Sequence, residues 1–169
     1  MLATPPPADG PAVPPLSGEE EAFMRALGRL MLVLPRALDA DLERDQRMTM
    51  SEYSVLRHLS EARCRMLRMS ELATACDMSL SGMTRLAGKL ESLGYLKRIR
   101  CDRDARGSNA VLTDAGLARL RQAWPDHLAS TRRHIFDHLN GLELSRLTTV
   151  LEAMTGGGEC PCPRSATDD

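Results

Sequence analysis

The stretch from Ser70 to Gly116 constrains this chain more than any other. Ser70 opens a short segment, Glu71 to Cys76, and Asp77-Met78-Ser79 has the composition of a tight turn. A longer periodic segment runs from about Leu80 to Leu93, with Met83, Leu86, Leu90 and Leu93 on one apolar stripe. Gly94 suits the left-handed position that ends a helix. Leu96 to Cys101 and Asn109 to Leu112 read as two short strands joined by a polar tip, Asp102 to Ser108. Helix, turn, helix and basic hairpin, in that order, can place one element in a DNA major groove and another in the adjacent minor groove. The order implies sequence-specific DNA binding and needs no enzyme chemistry.

Composition agrees with a helical fold. The 169 residues suffice for one domain, and 43% of them are hydrophobic while only 3% are aromatic. The core must rest on Leu, Met, Ala and Val, whereas strand-rich cores lean on β-branched and aromatic residues. Net charge is −1, but its distribution is uneven. Residues 1–22 carry four acidic groups and no basic one, whereas residues 81–107 carry seven basic and three acidic groups. Such clustering matters more for phosphate contact than the total does.

The expected organisation has five parts. Residues 1–17 contain six prolines and few packing residues, the composition of a disordered tail. Residues 18–47 form a first helix, with Ser17 as N-cap, Glu19, Glu20 and Glu21 in its first turn, and Phe23, Leu27, Leu30, Leu34, Leu38 and Leu42 near one face. Pro35 predicts a kink or break there. Residues 48–113 hold the helix-turn-helix and hairpin, beginning with a helix that Ser51 would cap and that runs to about Ala62, with Tyr53, Leu56 and Leu59 inward. Residues 114–155 hold a helix capped by Thr113, with Leu117, Leu120, Trp124 and Leu128 on one face, Pro125 as a possible bend and its close at Leu139 to Gly141. A last helix spans about Glu143 to Met154. Residues 156–169 begin at Gly156-Gly157-Gly158 and read as a flexible tail. The terminal amphipathic segments, 20–46 and 143–155, have nothing to cover in a lone domain, which predicts a homodimer.

The helix at 80–93 offers Ser81, Arg85 and Lys89 at i, i+4 and i+8, opposite its apolar stripe. Hydrogen-bond donors on one line are what a helix reading a major groove requires, and Arg can take a guanine edge in two bonds. A solvated basic face is the plainer reading of the same residues. In the hairpin, Lys97, Arg98, Arg100, Arg103 and Arg106 cluster within ten residues. Arg106 stands at the tip, where its side chain suits a narrow minor groove, and Asp104 can pair with an arginine to hold the turn. Here the plainer reading is a charged loop with weak surface ion pairs.

Five segments together resemble the MarR family of transcriptional regulators. They are Met69-Ser70-Glu71-Leu72-Ala73, Ser79-Leu80-Ser81-Gly82-Met83-Thr84-Arg85-Leu86, Leu90-Glu91-Ser92-Leu93-Gly94-Tyr95-Leu96, Asp104-Ala105-Arg106-Gly107, and Leu112-Thr113-Asp114-Ala115-Gly116. The resemblance covers about residues 20–155. It implies a mainly α winged helix-turn-helix in a homodimer, with the terminal helices making the dimer and two recognition helices reading a pseudo-palindrome. Many members are repressors released by small aromatic ligands, and others sense peroxides or metals. By this resemblance Ser81, Thr84 and Arg85 contact DNA from the helix and Arg106 from the wing. Ser79, Gly82, Lys89, Arg103 and Asp104 complete the expected DNA-binding set. Leu80 stands where the family often has a polar or basic residue. Gly82 and Gly88 lie inside the recognition helix, where each costs about 1 kcal/mol relative to Ala, although Gly82 would also permit close approach to DNA.

Other constellations point less far. Cys64 lies between Arg63 and Arg65, which favours a thiolate, yet the family's peroxide sensors carry their reactive cysteine in the first helix, where this chain has none. Cys76 reads as small core filler and Cys101 as a strand residue; Cys160 and Cys162 lack neighbouring ligands. His127, His134 and His138 fall near one helical face; interface or surface roles are favoured over a metal site. With no Ser-His-Asp, phosphate-loop or paired-carboxylate pattern, no enzyme is expected, and neither is a cofactor or resident metal. The first basic residue is Arg25 and no apolar run approaches the roughly 20 residues that span a bilayer, so a soluble cytoplasmic protein is expected. The expected function is a homodimeric repressor binding double-stranded DNA. A redox- or metal-sensing regulator of the same fold, or a winged-helix module that binds protein, is the alternative.

Overall fold

The computed structural model describes residues 14–101 and 104–156, with residues 100–101 and 104–107 described by their backbone alone. The first helix, α1 (Gly18–Gln46), starts where Ser17 Oγ accepts from Glu20 N at 3.2 Å and Glu20 Oε2 accepts from Ser17 N at 2.7 Å. This reciprocal cap satisfies two otherwise orphaned donors. Of the kink or break expected at Pro35, the break does not occur, and α1 runs through Pro35 as one helix. Pro35 leaves the Met31 carbonyl without its helical donor, but Met31, Leu32 and Val33 are exposed, so water can take that bond.

Helix α2 (Met50–Glu61) is capped by Thr49, not Ser51: Thr49 Oγ1 accepts from Glu52 N at 3.2 Å, and Glu52 Oε2 accepts from Thr49 N at 2.9 Å. Thr49 wins because it has a Glu at the third helical position to complete the cap. After a 3-10 turn at 63–65 comes β1 (Met66–Arg68), which the sequence did not suggest; three residues are too few to show alternation. Helix α3 (Met69–Ala75) begins two residues earlier than Ser70 capping would allow, with Glu71 Oε2 accepting from Arg68 N at 3.1 Å. Asp77, at φ 51°, turns the chain into α4 (Leu80–Ser92).

Strands β2 (Leu96–Cys101) and β3 (Asp104–Leu112) form the wing, and β3 is central in the antiparallel order β1-β3-β2. The second strand is longer than expected because ladder pairing carries it outward: Arg100 faces Ser108 and Cys101 faces Asp104 across an irregularity. Asp, Gly and Ser disfavour strands locally, so pairing overrides propensity here. Helix α5 (Asp114–His134) is capped by Thr113 and runs through Pro125. It ends earlier than expected, at Ile135 (φ −125°, ψ −70°), and a 3-10 turn at 136–138 follows. Helix α6 (Leu144–Met154) closes the described chain.

The core gathers Tyr53, Val55, Leu56 and Leu59 of α2, Leu72 of α3, Met83, Ala87 and Leu90 of α4, Leu96 and Ala110 of the wing, and Leu120 and Ala123 of α5. Leu93, expected in the α4 stripe, is exposed, and Ala87 lies in the core. Along α1 only Leu42 of the expected face is buried, while Phe23 and Leu30 are exposed; Trp124 and Leu128 of α5 are exposed too.

A polar seam joins α1 to α5. The buried Asp41 carboxylate accepts from Ser130 Oγ at 2.7 Å and from Arg44 at 2.7 Å, lies 2.8 Å from His134 Nε2, and also pairs with Arg133. One turn on, Arg119 donates to Gln46 Oε1 at 2.7 Å, and Gln46 bonds Asp126. No described helix is long and apolar enough to cross a membrane.

Candidate nucleic-acid interface

The two faces of α4 separate cleanly. Met83, Ala87 and Leu90 point into the core, and Ser81, Thr84, Arg85 and Lys89 are exposed. The helix begins with Ser79 Oγ accepting from Gly82 N at 3.2 Å, and the same oxygen lies 3.2 Å from Ser81 Oγ. Gly82 has a structural reason for lacking a side chain: a Cβ there would stand 3.2 Å from Ser79 Oγ and crowd the cap. Thr84 is exposed, and its Oγ1 donates to Leu80 O at 2.8 Å, which leaves the hydroxyl's acceptor capacity unused by that bond. Arg85, in the middle of this face, is exposed and makes no ion pair with any described residue.

Lys89 sits differently from Ser81 and Arg85. Its Nζ lies 2.5 Å from Oε1 of Glu52, a buried carboxylate at the start of α2. Burial opposes ionisation of Glu52, but Lys89 and the Thr49 backbone outweigh it and hold the carboxyl below its usual range. Lys89 therefore ties the recognition helix to α2. On the far side of the same turn, Glu91 receives Arg98: the Arg98 N–H donates to Oε1 at 2.9 Å and Nε to Oε2 at 2.7 Å. The spacing of Ser81, Arg85 and Lys89 places all three on one face, but could not show that Lys89 already has a partner.

Lys97 is exposed on β2. Asp104 and Arg106 lie in β3, described by backbone, and Arg103 lies outside the described residues. So do Cys160 and Cys162 and the segments 1–13 and 157–169. Leu80 is 55% exposed at the start of the helix, an apolar group of the kind that meets a thymine methyl. The sequence marked it only as unusual.

The three histidines do not converge. His134 belongs to the Asp41 seam, and His138 to the 3-10 turn. The His127 ring packs on Tyr53, centroids 4.3 Å apart and planes at 40°, with Trp124 at 6.3 Å. Tyr53 Oη and His127 Nδ1 are both buried without a hydrogen-bond partner among the described residues. Burial pushes the Tyr53 phenol up to about 12 and the His127 imidazole below its usual value. No described group of three or more His, Cys, Asp or Glu could hold a metal ion. Cys64 is exposed with a left-handed backbone (φ 55°), and Cys76 is half-buried, its thiol raised by burial.

A family model described as MarR family matches residues 48–107, the span from the start of α2 to the wing. The chain is 27% identical over 120 residues to the HTH-type transcriptional regulator PecS of Dickeya dadantii, covering 70% of this chain and 72% of that one. Two solved structures from Streptomyces coelicolor match nearly end to end. Sco3205, a MarR family transcriptional regulator solved in complex with DNA, has 31% identity and a TM-score of 0.79, covering 93% of this chain and 97% of its own. AbsC, of the same family, has 33% identity and a TM-score of 0.77, covering 85% and 97%. Together with a helix-turn-helix of α3 and α4, a β2–β3 wing and long flanking helices, these similarities establish that the chain belongs to the MarR family of transcriptional regulators.

Proposed function

We propose that the chain acts in the cytoplasm as a homodimeric repressor, binding a pseudo-palindromic operator with α4 in successive major grooves and the wing in the flanking minor grooves. The observation that carries the reading is the outer face of α4, where Ser81, Thr84 and Arg85 are exposed beside the exposed Leu80 while the opposite stripe is in the core. That Sco3205 was solved with DNA supports it. The expected roles are base contact by Arg85, phosphate or base contact by Ser79, Ser81 and Thr84, and minor-groove contact by Arg106, with Arg103 and Asp104 shaping the tip.

Dimerisation is supported by the terminal helices. Phe23, Met24, Leu30 and Met31 of α1, and Leu144, Val150, Leu151 and Met154 of α6, are all between 46% and 62% exposed. Burying such surface between two copies releases about 25 cal/mol per Å². Removing residues 143–169 is expected to give monomer or aggregate in sedimentation, and an undisturbed dimer would overturn this interface. The DNA reading is tested by selecting duplexes from a random-sequence pool and measuring affinity against salt. Enrichment of a two-fold symmetric sequence, with log affinity falling by about 0.9 per log salt for each phosphate neutralised, is expected. A flat salt response would favour a protein-binding module instead.

The buried, unpartnered Tyr53 Oη and His127 Nδ1 favour a small polar aromatic effector seated between α2 and α5, where it would receive both bonds. Release of the selected duplex by such a compound, and loss of that release in Tyr53→Phe, is the test.

A further inference from the structure

Glu91 stands in an unfavourable place for an anion. It occupies the last turn of α4, where the helix carries partial negative charge, and it lies on the element expected to approach phosphates. What it does there is specific. Its two carboxylate oxygens take three contacts from one residue of the wing: Arg98 N to Oε1 at 2.9 Å, Arg98 Nε to Oε2 at 2.7 Å, and an Arg98 terminal nitrogen to Oε2 at 2.6 Å. Strand β2 is an edge of the sheet, and Arg98, paired in register with Ala110, turns its N–H away from β3. Glu91 therefore satisfies an edge donor that would otherwise need water, and clamps the guanidinium through two of its nitrogens. Between the two residues the chain makes the left-handed turn at Gly94 (φ 75°). The Glu91–Arg98 link is thus the side-chain brace across the bend from recognition helix to wing.

We propose that Glu91, through Arg98, is the positioning residue that sets the angle between the recognition helix and the wing, and so determines whether both can reach their grooves at once. The inference rests on the DNA-binding reading above. It assigns Arg98 to the brace and not to a phosphate, and it gives an acidic residue a favourable part in binding a polyanion. A brace of this kind contributes to specific binding only, because random DNA needs no simultaneous fit of helix and wing.

The sign of the effect separates this role from simple charge. Removing an acidic group near phosphates should tighten binding to every duplex. Removing the brace should weaken binding to the selected duplex alone. Affinities of the wild type, Glu91→Ala, Glu91→Gln, Arg98→Met and the double variant Glu91→Ala/Arg98→Met are measured by fluorescence anisotropy at one salt concentration. The probes are a duplex selected by the wild type from a random pool and a scrambled duplex of equal length and composition. Glu91→Ala is expected to bind the selected duplex about tenfold more weakly, with scrambled binding unchanged or tighter. Glu91→Gln, which keeps one acceptor and the volume, should lie between, and it carries the test if the Ala variant melts at low temperature. Arg98→Met should match Glu91→Ala on the selected duplex, and the double variant should be no worse than either single one. Parallel tightening on both duplexes, or losses that multiply in the double variant, would overturn the brace. A wild type that selects no duplex would instead overturn the DNA reading, and the brace with it.

Discussion

Replacing Gly116 with Ala sets two physical effects against each other with opposite signs. Gly116 lies in the first turn of α5, and helix propensity alone says that Ala should stabilise it by about 1 kcal/mol. The surroundings say otherwise. A Cβ there would stand 2.0 Å from the Tyr95 carbonyl oxygen, 2.9 Å from its carbon and 2.8 Å from Leu112 Cδ1. The close neighbour is backbone, so it cannot swing aside, and an ordinary contact needs the helix and the turn to separate by about 1 Å. That separation pulls on two hydrogen bonds: Thr113 N to Tyr95 O at 3.1 Å, and Thr113 Oγ1 to Gly94 O at 2.6 Å. Overpacking costs about 1–3 kcal/mol, and the two weakened bonds add roughly 1–2. After the propensity gain is subtracted, a net loss of about 1–4 kcal/mol remains. For a chain of this size that lowers the melting temperature by roughly 2–15 °C. Urea denaturation followed by circular dichroism measures it. Gly88→Ala is the control: nothing lies within 4 Å of a Cβ built there, so propensity should act alone and raise stability by about 0.5–1 kcal/mol. A Gly116→Ala protein as stable as the wild type, or more so, would refute the reasoning.

Other perturbations read other parts of the molecule. Arg85→Ala should cost about 1–3 kcal/mol on the selected duplex and relax base preference at one position per half-site, measured by competition with singly substituted duplexes; a uniform loss at all positions would make Arg85 a phosphate contact. Tyr53→Phe removes a buried hydroxyl that has no partner and should raise stability by about 1 kcal/mol in the absence of effector, as seen in the denaturation midpoint; a fall would mean that the hydroxyl is hydrogen-bonded. The Asp41 carboxyl is held well below the usual carboxylate range, first by the Ser130 hydroxyl and then, against its burial, by Arg133, Arg44 and His134. Its folded value lies below its unfolded one, so the stabilisation is complete above about pH 4 and is lost as pH falls further. Asp41→Asn should therefore be less stable at neutral pH and show a flatter stability profile below pH 4; parallel profiles would refute the role of the seam.

Much of the architecture was legible in local sequence, because its signals are local. Ser17 with Glu20, Thr113 before α5, Asp77-Met78-Ser79 and Gly94 act through bonds a few residues long, and the helix starts and turns they predicted are in place. The inward stripe of Tyr53, Leu56 and Leu59 follows from helical period alone. Where two local signals competed, as between Ser51 and Thr49 for the cap of α2, the second half of the capping box decided. The short β1 and the outer part of β3 were not legible: Met66-Leu67-Arg68 is extended because Val111, Ala110 and Asn109 lie opposite, some 40 residues away in sequence.

The same division holds at the candidate interface. Sequence spacing determined that Ser81, Thr84 and Arg85 share a face, since a 3.6-residue period leaves no other arrangement. Tertiary structure decided which charges on that element remain available. Lys89 and Arg98 look as free as Arg85 in the sequence, yet each is taken by a carboxylate, Glu52 from another helix and Glu91 from across the bend to the wing. Gly116 likewise reads as a weak point in a helix until Tyr95 is brought against it. Periodicity fixes the direction in which a side chain leaves its own element, whereas pairing depends on which distant residue the fold brings within about 3 Å.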